Sequence, residues 1–172
     1  MGRTKALLPF GGATLLDHVA SQVLQAAGSV TLIGPPETYA HLGYAIIADQ
    51  IAGLGPLSGI RTALNASRSE WNLIVACDMP LISSNFLSSL LDSAAVAGAD
   101  CLLPTGPSGH PEPLCAVYHR RCLPVIARSL AGGIRKVTDG LAGLRIEMRR
   151  TPESRCFANC NTPQEWSSFL DG

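Results

Sequence analysis

The 172-residue sequence predicts a three-layer α/β fold built on a mostly parallel sheet, and three observations carry that reading. Short apolar runs alternate with stretches of helical spacing along the whole chain. The run Leu73-Ile74-Val75-Ala76 is continuously apolar, as in a strand covered by helices on both faces, and such strands belong to parallel sheets. It ends abruptly in Cys77-Asp78-Met79-Pro80. Pro80 lacks an amide proton and biases Met79 away from helix, so the strand should stop there with Asp78 at its carboxyl end. That edge is where open α/β sheets bind ligands.

In chain order, Gly11-Gly12 is a turn signal, and Thr14 can cap a helix whose apolar positions Leu15, Leu16, Val19, Val23, Leu24 and Ala27 follow helical spacing until Gly28 ends it. A short strand follows at 30–33, closed by Gly34-Pro35-Pro36, then a short helix over 36–42. The next strand, 44–48, delivers Asp49 to its end much as the later strand delivers Asp78. Gly53, Gly55 and Gly59 punctuate the loop leading into a helix over 57–67. Ser83 starts a helix with Phe86, Leu87, Leu90, Leu91, Ala94 and Ala95 on its apolar side, and Gly98 ends it. Strands are expected at 100–104, 114–118 and 144–149, with helices at 121–130 and 134–141 between the last two. Residues 157–163 read as extended with turn chemistry, and Thr162 can cap a final helix that starts at Pro163.

Residues 1–172 make one domain of ordinary size, long enough to bury a core without disulfides or metal staples. Lys plus Arg is 13 and Asp plus Glu is 13, so there is no global basic field for nucleic acid, and anionic partners must be met locally. Apolar residues are 47% and charged ones 15%, which excludes a disordered chain. No apolar run approaches the roughly 18 residues that cross a bilayer, and Met1-Gly2-Arg3-Thr4-Lys5 leads into no signal-peptide pattern; the expectation is a cytoplasmic protein with no membrane partner. Six cysteines, at 77, 101, 115, 122, 156 and 160, include no C-x-x-C pair, and the reading is buried free thiols in a reducing compartment.

A lone acid at a strand tip is a natural ligand for Mg2+, which takes carboxylate, water and phosphate oxygens. Asp78 could instead cap the following helix, but Ser83 and Ser84 are better placed for that. The loop Gly55-Pro56-Leu57-Ser58-Gly59 is either a plain glycine-rich turn or a backbone cradle at a helix amino terminus. His110, in a Gly/Pro-rich loop, reads as a surface residue.

Four motifs, spread in order over nearly the whole chain, carry a resemblance. They are 1–12 (Met1-Gly2-Arg3-Thr4-Lys5 through Gly11-Gly12), Gly55-Pro56-Leu57-Ser58-Gly59, Cys77-Asp78-Met79-Pro80, and Asn159-Cys160-Asn161-Thr162-Pro163. Together the sequence resembles the molybdenum cofactor guanylyltransferases of the MobA type. The resemblance implies a Rossmann-like nucleotidyltransferase fold that joins GMP from GTP to molybdopterin, with Mg2+ as cofactor and pyrophosphate released. It also implies molybdoenzymes or cofactor-delivery proteins as recipients of the product.

Residue by residue, Lys5 matches the lysine that contacts the nucleotide, and Asp78 the acid that binds Mg2+ and GTP. Asp49 matches a second nucleotide-site acid, Gly55, Leu57 and Gly59 the loop near the guanine, and Asn159 and Asn161 the pair on the pterin side. Two departures stand out. The resembled family begins with an apolar strand and a glycine-rich phosphate loop ahead of the position of Met1, so the resemblance implies a longer natural chain and a first strand missing from this one. Thr4 also stands where the family usually has Asp. A cytidylyltransferase using CTP, or a non-catalytic nucleotide-binding adaptor, are the alternative readings.

Overall fold

The structure, a computed structural model, describes residues 5–49, 54–151 and 154–157. Lys5–Leu7 form one 3-10 turn, followed by a two-residue hairpin of β1 (Pro9–Phe10) and β2 (Ala13–Thr14). Both residues of its turn, Gly11 and Gly12, have positive φ, as this type of tight turn demands. Helix α1 (Leu15–Ala27) opens with a reciprocal cap between Thr14 and Asp17 and closes on Gly28 in the left-handed region. Then follow β3 (Thr31–Ile33), α2 (Pro36–Tyr39) continued by a 3-10 turn at Ala40–Leu42, and β4 (Ala45–Ile47). After Asp49 come α3 (Pro56–Ala66), β5 (Trp71–Val75), α4 (Ser84–Val96), β6 (Cys101–Thr105) and β7 (Cys115–His119). The described chain finishes with α5 (Leu123–Ala131), α6 (Val137–Gly140), β8 (Ile146–Arg150) and a 3-10 turn at Ser154–Phe157.

The fold is α/β in three layers. Strand residues alternate between two apolar cores. Leu102, Cys115 and Val117 pack with α1 and α4 through Leu15, Val19, Leu87 and Leu90. Cys101, Leu103, Ala116 and Tyr118 pack on the other face with α3 and α5 through Leu57, Ile60, Leu64, Ile126 and Leu130. A third cluster joins Leu16 and Ala20 of α1 to Leu32 of β3 and Ile46 of β4.

The main sheet has the order β5-β7-β6-β8, and β7 runs antiparallel to both neighbours while β6 and β8 are parallel. Strands β5, β6 and β8 therefore share one direction, with β7 alone reversed. Strands β3 and β4 pair in parallel as a separate two-stranded sheet. This separation corrects one expectation: Asp49 and Asp78 follow strands of two sheets, not of one. It also explains why β5, expected to be fully covered, is only half-buried at every residue. Its edge away from β7 has no strand beside it among the described residues.

The residues from 158 on, including the expected final helix, lie outside the described residues. The helix expected over 134–141 shortens to α6. Among the described residues five cysteines are free thiols, with Cys101, Cys115, Cys122 and Cys156 buried. No helix among the described residues is long and apolar enough to cross a membrane.

At the amino edge of β6, Asp100 ties two segments together. It accepts the Arg145 backbone N–H at 2.9 Å and the Arg145 guanidinium at 2.9 and 3.3 Å, with Arg121 Nε at 3.2 Å. These bonds, those of Arg145 foremost, lower the Asp100 pKa from its ordinary 3.8 to about 2. A carboxylate depressed in the folded state contributes stability above its unfolded pKa and loses it as pH falls through the folded value. The stability gap between the parent and Asp100→Asn should therefore be steady above about pH 5 and close between about pH 4 and pH 2. Urea unfolding across that range checks it; a gap unchanged at pH 2 would reject the assignment.

Candidate active site

Five of the residues singled out from the sequence line one cavity of about 820 Å3: Lys5, Asp49, Gly55, Gly59 and Asp78. Asp49 follows the carboxyl end of β4 and Asp78 that of β5, and both acids line this cavity. Ser29 and Val30, which precede β3, and Ser67 and Ser69, which precede β5, line it as well.

Asp49 is held by α3. The hydroxyls of Ser58 and Thr62 donate to its Oδ1 at 2.8 and 2.9 Å, and both hydroxyl residues are buried. They stand four apart on one face of the helix, so a single carboxylate oxygen takes both. Sequence reasoning missed this clamp, although two hydroxyls at helical spacing among the inward positions Leu57, Ile60 and Leu64 were a readable signal.

Gly55 sits just before α3 with φ 77° and ψ −175°, a backbone region essentially reserved for glycine, and Pro56 starts the helix with its fixed φ. At that sharp entry the Ser58 N–H donates back to the Gly55 carbonyl at 3.1 Å, closing the first turn. Leu57, expected near a base, turns its side chain fully into the core. What position 57 can offer a ligand is its backbone. Gly59 faces β3, where an added Cβ would lie 4.0 Å from Ile33 Cγ2.

Asp78 does not cap α4. Ser83 does, accepting from the Phe86 N–H at 3.3 Å, so the carboxylate at the strand tip is left to the cavity. Buried Met79 and Ile82 anchor the segment behind it. Burial, reinforced by the Asp78 charge, pushes the neighbouring Cys77 thiol above its ordinary value. His110 and Glu112 belong to the loop between β6 and β7 and do not line the cavity. Asn159 and Asn161 lie outside the described residues.

Among the described residues no three His, Cys, Asp or Glu side chains gather as a ready-made metal cage. The donor set nonetheless suits a magnesium ion, which is typically held by one or two carboxylates with water and substrate phosphates completing the octahedron. A cavity lined by an acid at a strand tip, a second acid fixed by hydroxyls, a lysine and the entry to a helix can receive a triphosphate and its counter-ion.

Residues 1–146 match the family described as the MobA-like NTP transferase domain. A protein of Nostoc sp. named probable molybdenum cofactor guanylyltransferase is 34% identical over 172 residues, covering 96% of this chain and 82% of the relative. A protein of Deinococcus radiodurans with the same name is 35% identical over 164 residues, 95% of this chain and 84% of the relative. The crystal structure of molybdopterin-guanine dinucleotide biosynthesis protein A from Archaeoglobus fulgidus superposes with a TM-score of 0.78 at 25% identity, over 97% of this chain and 89% of that one.

Proposed function

The chain belongs to the MobA-like NTP transferase family and is a nucleotidyltransferase, and from that premise we propose that it transfers GMP from GTP to molybdopterin with Mg2+ as cofactor. The observation that carries this reading is that Lys5, Asp49, Asp78 and the Gly55-Pro56 entry to α3 all line one cavity. The names of the relatives support the choice of guanine nucleotide and pterin acceptor.

In this reading a terminal phosphate oxygen of molybdopterin attacks the α-phosphorus of GTP, a new P–O bond forms, and the bond to the β-phosphate breaks to release pyrophosphate. No covalent enzyme intermediate is needed. Asp78 would hold Mg2+, which supplies charge neutralisation on the phosphates. Lys5 faces the phosphates as a point cation and offsets charge on the departing pyrophosphate. The α3 amino terminus, framed by Gly55 and Gly59, offers backbone donors, and Asp49, fixed by Ser58 and Thr62, faces the nucleotide without moving. Positioning supplies most of the acceleration. Asn159 and Asn161 contact the pterin side, and the product passes to molybdoenzymes or to proteins that deliver the cofactor. The protein acts in the cytoplasm as one domain.

Calorimetry with GTP and with CTP, each with and without Mg2+, tests the reading. Tighter binding of GTP by about tenfold or more, dependent on Mg2+, is the expected result. Preference for CTP would move the assignment to a cytidylyltransferase. Binding of GTP without transfer to molybdopterin, in an assay where an established guanylyltransferase turns over, would favour an adaptor.

A further inference from the structure

A second cavity, of about 420 Å3, lies between the carboxyl end of β8 and the amino end of α4, and it shares no lining residue with the first. Strand β8 ends the main sheet, with two strands between it and β5. Arg149 and Thr151 line the cavity from the strand side, and Ser83, Asn85, Phe86 and Ser89 from the helix; among the described residues no acid lines it.

Arg149 is held by one nitrogen. Its Nη1 donates to the Ser89 carbonyl at 2.6 Å, the Ser89 hydroxyl at 3.2 Å and the Ser93 hydroxyl at 2.9 Å. Those bonds fix the guanidinium against α4 and leave its side edge, Nε with Nη2, without a partner among the described residues. The Thr151 N–H donates to the Thr105 carbonyl at 2.9 Å, which extends the pairing of β8 with β6 by one residue. Side chains alternate along a strand, so Thr151, two residues beyond Arg149, faces α4 as well. It is 5% exposed, and its hydroxyl has no hydrogen-bond partner. Buried polar groups are nearly always paired, so this hydroxyl calls for an acceptor from outside the fold. The helix adds one more donor. The Ser84 N–H goes to Gln22 Oε1 at 2.8 Å and the Phe86 N–H to Ser83 Oγ at 3.3 Å, while the Asn85 N–H has no acceptor among the described residues.

We propose that this cavity binds a phosphate dianion, taken up as a phosphate monoester or as the free ion. The side edge of a guanidinium meets two oxygens of one phosphate at once. Thr151 and the Asn85 N–H supply donors for the rest, and a helix amino terminus with no acid beside it favours a doubly charged group over a carboxylate. The volume leaves room for the organic body of an ester beside the half-buried Phe86 ring. The proposal does not rest on the nucleotide chemistry.

The test titrates the 15N-labelled 172-residue chain, without nucleotide or Mg2+, with inorganic phosphate, phenyl phosphate and acetate at constant ionic strength. Phosphate is expected to move the Asn85 and Thr151 amide signals and the Arg149 Nε signal saturably, with acetate at least fivefold weaker. Tighter binding of phenyl phosphate identifies an ester as the ligand and equal binding the free ion; either ranking supports the site. Arg149→Lys keeps the charge but loses the side edge, and should weaken phosphate binding about tenfold. Thr151→Val keeps the volume and removes the unpaired hydroxyl. It should unfold at a higher urea concentration than the parent without phosphate, yet bind phosphate about fivefold more weakly. Equal binding of acetate, unaltered phosphate binding in either folded variant, or shifts confined to Lys5, Gly55 and Gly59 would each overturn the proposal. So would a Thr151→Val protein less stable than the parent without phosphate, since the hydroxyl would then serve the fold itself.

Discussion

Asp78→Asn is expected to lower GMP transfer by about 100-fold or more while changing stability by less than about 0.5 kcal/mol. The two halves of that result have separate causes. Asparagine keeps the shape of the side chain but removes the charge that would hold a divalent cation against a triphosphate. Among the described residues no hydrogen bond or ion pair ties the Asp78 carboxylate to the fold, and the cap of α4 belongs to Ser83, so the fold has little to lose. Asp49→Asn offers the contrast. Its Oδ1 receives two buried hydroxyls, so both stability and transfer should fall, because the amide accepts less strongly and half its polar atoms are donors. Incorporation of labelled GMP and urea unfolding, run on both variants, separate the roles. Divalent-ion-dependent turnover at the parent rate in Asp78→Asn would remove Asp78 from the site.

The contrast between these acids also marks what could be read from the sequence. Both were legible as carboxylates at the ends of apolar runs, because a strand followed by a turn residue is a local signal. Their different partners were not, since Ser58 and Thr62 meet Asp49 only when α3 folds back onto the segment that follows β4. The same distinction runs through the fold. The start and end of α1 were readable from Thr14 and Gly28, and the start of α4 from Ser83, each acting within a few residues. The reversal of β7 and the split of the sheet between β3 and β5 depend on pairings across the chain, which apolar periodicity does not encode. Leu57 shows the limit within a single motif: its neighbours Gly55 and Gly59 line the cavity, yet helical geometry turns the residue between them inward.

Leu57→Ala is expected to destabilise the protein by about 3 kcal/mol without weakening nucleotide affinity in the folded fraction. Leu57 is fully buried against α6, and a Cβ added at Gly140 would stand 2.9 Å from its Cδ1. Truncation removes three carbons from a core that α5 and α6 close, leaving a void that the surrounding helices fill only in part. Gly140→Ala alone should cost about 1–3 kcal/mol by overpacking the same spot. Combined, the two changes should cost less than their sum, because the methyl added at 140 occupies part of the space vacated at 57. Urea unfolding of the two single variants and the double variant measures that coupling. Additive losses would show that the two positions do not share one space. Loss of nucleotide affinity in the folded Leu57→Ala protein would place the side chain, and not only the backbone, of residue 57 against the base.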